Sequence, residues 1–111
     1  MQSVSAALNQ GSQREIEFSA TVTSQPSYFY GKHSRAEHET FGIRSDDGAT
    51  LRVVDNVKIA PQVGVHPGDR IVVKGELVPW ARGGPIVHWT HHDPGGTHAA
   101  GFIEWNGRRY A

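Results

Sequence analysis

The sequence predicts an all-β fold, a small antiparallel barrel of five to six strands with a short N-terminal arm or helical turn. Three observations lead there. Thirteen Gly and six Pro cut the 111 residues into short pieces, and no helical apolar stripe survives beyond two turns. Several pieces alternate apolar and polar residues with the period of two that a half-buried strand requires. One of them carries Gly75 in its middle, and a mid-strand Gly lets a narrow sheet coil towards closure.

Residues 1–13 (MQSVSAALNQGSQ) hold only Val4, Ala6, Ala7 and Leu8 as a weak apolar cluster. They read as a frayed arm or one helical turn ending at residues 9–11, ahead of a single barrel domain over 14–111. Residues 15–23 (EIEFSATVT) alternate strictly, with Ile16, Phe18, Ala20 and Val22 on one face. Residues 24–38 lose the alternation, carry Pro26, Gly31 and three aromatics, and read as a long loop. Residues 40–44 and 50–54 are short strands, and the Asp47-Gly48 pair between them favours a hairpin. Residues 56–65 cross over, with room for a helical turn before Pro61. After the turn at residues 66–69, residues 70–78 (RIVVKGELV) form the next strand, and 79–84 a hairpin loop. Residues 86–90 return. A loop of polar and small residues, 91–101, leads to a terminal hairpin over 102–110 whose Asn106-Gly107 is the strongest two-residue turn signal. Closure removes sheet edges that so small a domain cannot cover with helices. Within that class the pattern is OB-fold-like, with an SH3-like barrel or a minimal sandwich fitting the same strand count.

Composition narrows the chemistry. Eleven Lys plus Arg balance eleven Asp plus Glu, which excludes a polybasic domain that holds nucleic acid by overall charge. There is no Cys, so disulfides, thiolate metal sites and a Cys nucleophile are excluded. No apolar run approaches the ~18 residues of a membrane-spanning helix. The first 13 residues contain no Lys or Arg, unlike the start of a secretory leader. A cytoplasmic location is therefore the expectation. A periplasmic or secreted protein with its leader absent from this chain is the alternative.

The stretches GDRIVVKGEL (68–77), GGPIVHWTHHDPGGTH (83–98) and GFIEWNGRRY (101–110) resemble an uncharacterised bacterial domain-of-unknown-function family. Its members look like GD-x-V-x-x-x-GEY, then GG-V-HWTH-x-DP-x-G-x-H, then GWI-x-x-NGK-x-Y. Upstream, HETF (38–41) is similar to that family's HQ-x-F, and DNVKIAPQV (55–63) to its HNID-x-APRV. The resemblance covers residues 36–110, is most specific at HWTHHDP, and implies an OB-like fold without naming an activity. Asp55 stands where the family often has His, and Phe102 and Trp105 stand where Trp and His are common.

Five of the seven histidines fall on these motifs: His38, His88, His91, His92 and His98, with Asp93 among them. They support three readings. Zn(II) takes three or four N/O ligands, and His88, His91 and His98 are the candidates, provided the strand bends before Thr90. A hydrolase acting on phosphodiesters would use His as general base, with His88 oriented by Asp93 or Asp55 and an anion held by Arg52 or Arg82. The third reading is structural: Asp93-Pro94-Gly95-Gly96 is turn chemistry in which Asp accepts from its own downstream backbone. Exposed aromatics on an OB-like barrel also stack bases. Tyr28, Phe29, Tyr30, Trp80, Trp89, Trp105 and Tyr110 are the candidates, with Lys32, Arg35, Arg44, Arg52, Lys74, Arg82, Arg108 and Arg109 as phosphate contacts.

The expected function is non-catalytic binding through a His-rich face at one barrel end, formed by His38, Arg52, His88, Trp89, His91, His92, Asp93 and His98. The rival is a metal-assisted or His-based phosphodiester hydrolase. No resident cofactor is expected, Zn(II) being the one considered. The expected partner is an unidentified ligand or protein, with weak single-stranded nucleic-acid binding allowed, no membrane, and a monomeric state.

Overall fold

The computed structural model describes residues 2–111. Residues near the N-terminus form α1 (Val4–Gln10), whose N-cap Ser3 accepts a hydrogen bond from the amide of Ala6 and which ends at Gly11 with φ 66°. Gly at that position tolerates the left-handed conformation that closes a helix. The helix docks on the barrel: Val4 and Ala7 are buried in the core, and Ser3 and Ser5 bond the Asp47 carboxylate.

Eight strands follow: β1 (Arg14–Val22), β2 (Ser27–Gly31), β3 (Ala36–Ser45), β4 (Thr50–Asn56), β5 (Arg70–Val78), β6 (Ile86–His88), β7 (Phe102–Trp105) and β8 (Arg108–Tyr110). Five of them close a ring in the order β1-β3-β4-β6-β5 and back to β1. β4 and β6 pair in parallel; the other pairings are antiparallel. This is the OB-like closed barrel, extended by β2 beside β3 and by β7–β8 beside β5. The strict alternation of β1 becomes real burial, with Ile16, Phe18, Ala20 and Val22 inside. Phe41 and Ile43, Leu51 and Val53, Ile71, Val73 and Leu77, Val87 and Ile103 complete the core. Gly75 also faces inward, and a Cβ there would press on the His88 carbonyl and on Thr90 and Val87, so β5 can carry only Gly where β6 turns away.

Two expectations change. The segment read as a loop over 24–38 contains β2, joined to β3 by a turn at residues 32–35 in which Arg35 has φ 53°. All of β2 except the half-buried Gly31 is exposed, because it projects past the barrel with β3 as its one neighbour; no face is hidden, so no alternation is written into it. The return strand expected to reach Thr90 stops at His88, and Trp89 takes φ 57°.

Candidate functional site

The chain reverses at Trp89 because its surroundings leave it no other course. A side chain on Gly101 would collide with the carbonyls of Trp89 and Lys74, and the Gly101 amide donates to the His91 carbonyl at 2.8 Å. A bulky residue with positive φ is held there by its packing. The His98 ring stacks on the indole (centroids 4.0 Å, planes 18° apart), and His91 packs against it at 5.6 Å.

The reversal sends neighbouring side chains to different places. His88 points outward and meets Glu76, its cross-strand partner, with Nε2 3.2 Å from Oε2. His98 reaches the same carboxylate with Nε2 3.0 Å from Oε1, while its Nδ1 donates to the Ala99 carbonyl at 2.8 Å. Both ring nitrogens of His98 therefore face acceptors, which favours the imidazolium. Burial opposes that charge, but the Ala99 carbonyl and Glu76 outweigh it and raise the His98 pKa. Burial pushes Glu76 up, but its bonds to His98, Gln13 and His88 prevail and hold it below the usual value.

Thr90 turns inward and is fully buried. Its hydroxyl donates to Asp55 Oδ1 at 2.8 Å. Asp55 lies across the ladder from Glu39, and both carboxyls are wholly inaccessible. Glu39 accepts from the Val63 amide at 3.0 Å and the Tyr28 hydroxyl at 3.1 Å. Among the described residues, Asp55 Oδ2 has no hydrogen-bond partner. Burial, with the Glu39 charge added and the Thr90 bond opposing, raises Asp55 to about 7. Burial likewise raises Glu39.

Outside this polar plug lies a cleft of about 420 Å³, lined by His33, Ser34, His38, Val54, Asn56, Ile59, His88, Trp89 and His91. β3 supplies His38, whose ring stacks on Phe29 at 5.1 Å and whose Nδ1 donates to the Ala36 carbonyl at 3.0 Å. β4 supplies Val54 and Asn56. His91 is 4% exposed, donates from Nδ1 to the His92 carbonyl at 2.7 Å, and is kept neutral chiefly by burial, which lowers its pKa.

Of the eight site residues expected from sequence, His38, His88, Trp89 and His91 meet at this cleft. The others stand elsewhere. Arg52 is exposed on the outer face of β4 and donates to Thr40 Oγ1 at 3.2 Å. His92 is exposed. His98 lies against the indole. Asp93 accepts from the amides of Gly95, Thr97 and His98 at 3.0, 2.7 and 2.7 Å, and these bonds hold it at about 2. The expected pairing of His88 with Asp93 or Asp55 is thus corrected: Asp93 is spent on its own loop and Asp55 on Thr90, and Glu76 takes the imidazole. The strand does bend before Thr90, as a metal site would need. Even so, His88 and His98 aim their Nε2 atoms at a carboxylate, and no three His, Asp or Glu side chains among the described residues are placed to hold a metal ion. His33, Ser34, Val54, Asn56 and Ile59 of the cleft, and Glu76 beside it, were not among the residues expected from sequence. The signal for His33 and Ser34 was the unrecognised β2, which folds their turn onto the cleft.

The class defined by fold and site is a small OB-like barrel with an imidazole- and indole-lined cleft outside its polar end. The chain belongs to the family described as "Protein of unknown function (DUF3465)", which matches residues 21–111 and so takes in β2 as well as the motifs above. No curated protein and no solved structure matches it.

Proposed function

We propose that this protein is a non-catalytic binding domain whose ligand sits in the cleft between β3, β4 and the Trp89 turn. One observation carries the reading: three separate elements bring His33, His38, His88, Trp89 and His91 to one open cavity of about 420 Å³. Val54, Ile59 and the indole offer an apolar bed, and Asn56 and Ser34 add polar groups at fixed positions, the mixture typical of small-ligand sites. Asp93 and His98 act as scaffolding, the first closing its loop and the second backing the indole. Arg52 and His92 contribute from outside the cavity.

Chemical-shift mapping against nucleotides, oligonucleotides, sugars, peptides and divalent ions tests the reading. The expected result is that one ligand class moves the His38, His88 and Trp89 signals. His88→Ala, on a side chain 35% exposed, should keep the fold and lose at least ~10-fold in affinity, about 1.4 kcal/mol. Shifts confined to other faces would refute it.

A second reading rests on the His88–Glu76 pair, since an imidazole on a cleft edge oriented by a carboxylate is the arrangement of a general base. It predicts cleavage of single-stranded DNA or RNA that Glu76→Gln abolishes. Absence of cleavage, with or without Zn(II) or Mn(II), removes it.

A further inference from the structure

Charge on this barrel is segregated despite the zero net balance. The outward positions of β3 are His38, Thr40 and Arg44, with Gly42 between them covered by Thr23 and Ser24, and those of β4 are Thr50, Arg52, Val54 and Asn56. None is a carboxylate; the exposed carboxylate of β3 is Glu37, opposite Tyr30 on the other face of the β2–β3 ribbon. The outer face of β1, β5 and β7 instead carries Glu15, Glu17, Glu76 and Glu104, with Arg70 and Lys74 among them. Arg70 and Arg109 are in ion pairs with Asp46 and Glu104. Among the described residues, Arg44, Arg52 and Lys58 are in none, nor are Lys32 and Arg35, which flank the cleft's His33–Ser34 turn; Arg14, Lys74, Arg82 and Arg108 are in none either, but they stand away from the β3–β4 row.

Aromatic rings accompany these free cations. Phe29 is 44% exposed and stacked on His38. Trp80 is 60% exposed in the loop between β5 and β6, and that loop is fixed beside Arg52, whose amide donates to the Pro85 carbonyl at 3.2 Å. The row from Arg44 to His38 spans about 20 Å along β3 and runs into the cleft.

We propose that the β3–β4 face binds a single-stranded nucleic acid, its phosphates tracking Arg44, Arg52 and Lys58 and an unstacked base entering the cleft beside Trp89. This rests on the binding role assigned to the cleft and names its ligand. A duplex keeps its base faces inside the stack, whereas a single strand offers them to exposed rings. An acidic peptide would match the cations but leave Phe29 and the indole without planar partners. Neutralising about three phosphates gives a log–log salt slope of roughly −2, since each contact on a single strand contributes about −0.7.

The test is titration of the protein with single-stranded DNA and RNA of about ten nucleotides, a matching duplex and a free nucleoside monophosphate, read by tryptophan fluorescence and amide shifts. Either strand should bind at low salt with that slope and outcompete the duplex and the monophosphate. Arg44→Ala with Arg52→Ala should flatten the slope to about −0.7. Phe29→Ala should weaken binding about five- to 150-fold, as for one lost base–aromatic stack, with the slope unchanged, and Arg109→Ala should change nothing. No strand binding at low salt, or a slope indifferent to the arginine pair, overturns the proposal. A monophosphate that binds as tightly as the strand overturns the phosphate track and assigns the cleft to free nucleotides. A different compound that moves the His38 and His88 signals while the strand does not overturns this inference alone; the cleft reading itself falls when none of the compounds, the strand included, moves those signals.

Discussion

Replacing Asp55 with Asn should change stability with a sign that depends on pH. The carboxyl is inaccessible, receives a hydrogen bond from Thr90, has no partner at Oδ2 among the described residues and faces Glu39 across the ladder. Its pKa is raised from 3.8 to about 7 in the folded chain. Below 3.8 the group is protonated in both states and folding gains most from it; as pH rises towards about 7 the unfolded chain ionises freely while the folded one resists, and that stability is lost. The full loss is about 4 kcal/mol, three pKa units at 1.36 kcal/mol each. Asn stays neutral throughout and keeps the acceptor for Thr90. It also puts an amide N–H where Oδ2 had no partner, costing about 1–3 kcal/mol. At pH 8 the variant should therefore be the more stable by about 1–3 kcal/mol, and at pH 5 no more stable than the parent. His91 titrates with the opposite sign: its stability is present above the ordinary His value and is lost as pH falls through its depressed pKa. Because His91 and Glu39 are common to both chains, the difference between them reports Asp55 together with its coupling to Glu39. Urea denaturation at pH 5, 6, 7 and 8 measures it, and the difference should change by about 3 kcal/mol between pH 5 and 8. A constant difference would refute the buried, protonated carboxyl.

Two further outcomes follow from the Trp89 turn. Gly101→Ala forces a methyl onto two backbone carbonyls that cannot swing aside, so it should cost about 3 kcal/mol and lower the thermal midpoint by roughly 10–20 °C; calorimetry reads this directly, and an unchanged midpoint would mean the turn is not tightly packed. Glu76→Gln keeps the shape of the group bridging His88 and His98 but removes its charge, so the His98 ring should titrate at lower pH than in the parent in ¹⁵N ring spectra, whereas an unmoved titration would assign its raised pKa to the Ala99 carbonyl and the Glu15 charge.

Strands that bury one face are written into the sequence, because burial forces period two; β1 and β5 are read directly from their apolar positions. Turns that depend on residue chemistry are equally plain. Asn106 and Gly107 adopt φ 55° and 78°, as a tight two-residue hairpin demands, and Asp93 closes its own loop as the Asp-Pro-Gly-Gly run implies. β2 is hidden for the opposite reason: it earns its pairing from the backbone of β3 and buries nothing that a pattern could report. The His33 and Ser34 contributions to the cleft are lost with it.

Trp89 marks the limit of what the chain states locally, and it decides what the histidines can do. A regular strand through residue 91 would set His88 and Thr90 on one face and Trp89 and His91 on the other. Nothing in His-Trp-Thr-His announces a left-handed residue. The cause lies in Gly75 and Gly101, which clear space for the reversing backbone, and in the His98 ring that covers the indole. With the reversal, Thr90 goes inside to Asp55, His88 goes outside to Glu76, and His91 turns to the cleft wall. His88, His91 and His98 thereby acquire different partners, each satisfied by a carboxylate, a carbonyl or the indole, while His92 stays exposed. A cluster dispersed in this way presents ring faces and a few donors rather than convergent lone pairs, which suits recognition of a planar ligand better than capture of a metal ion.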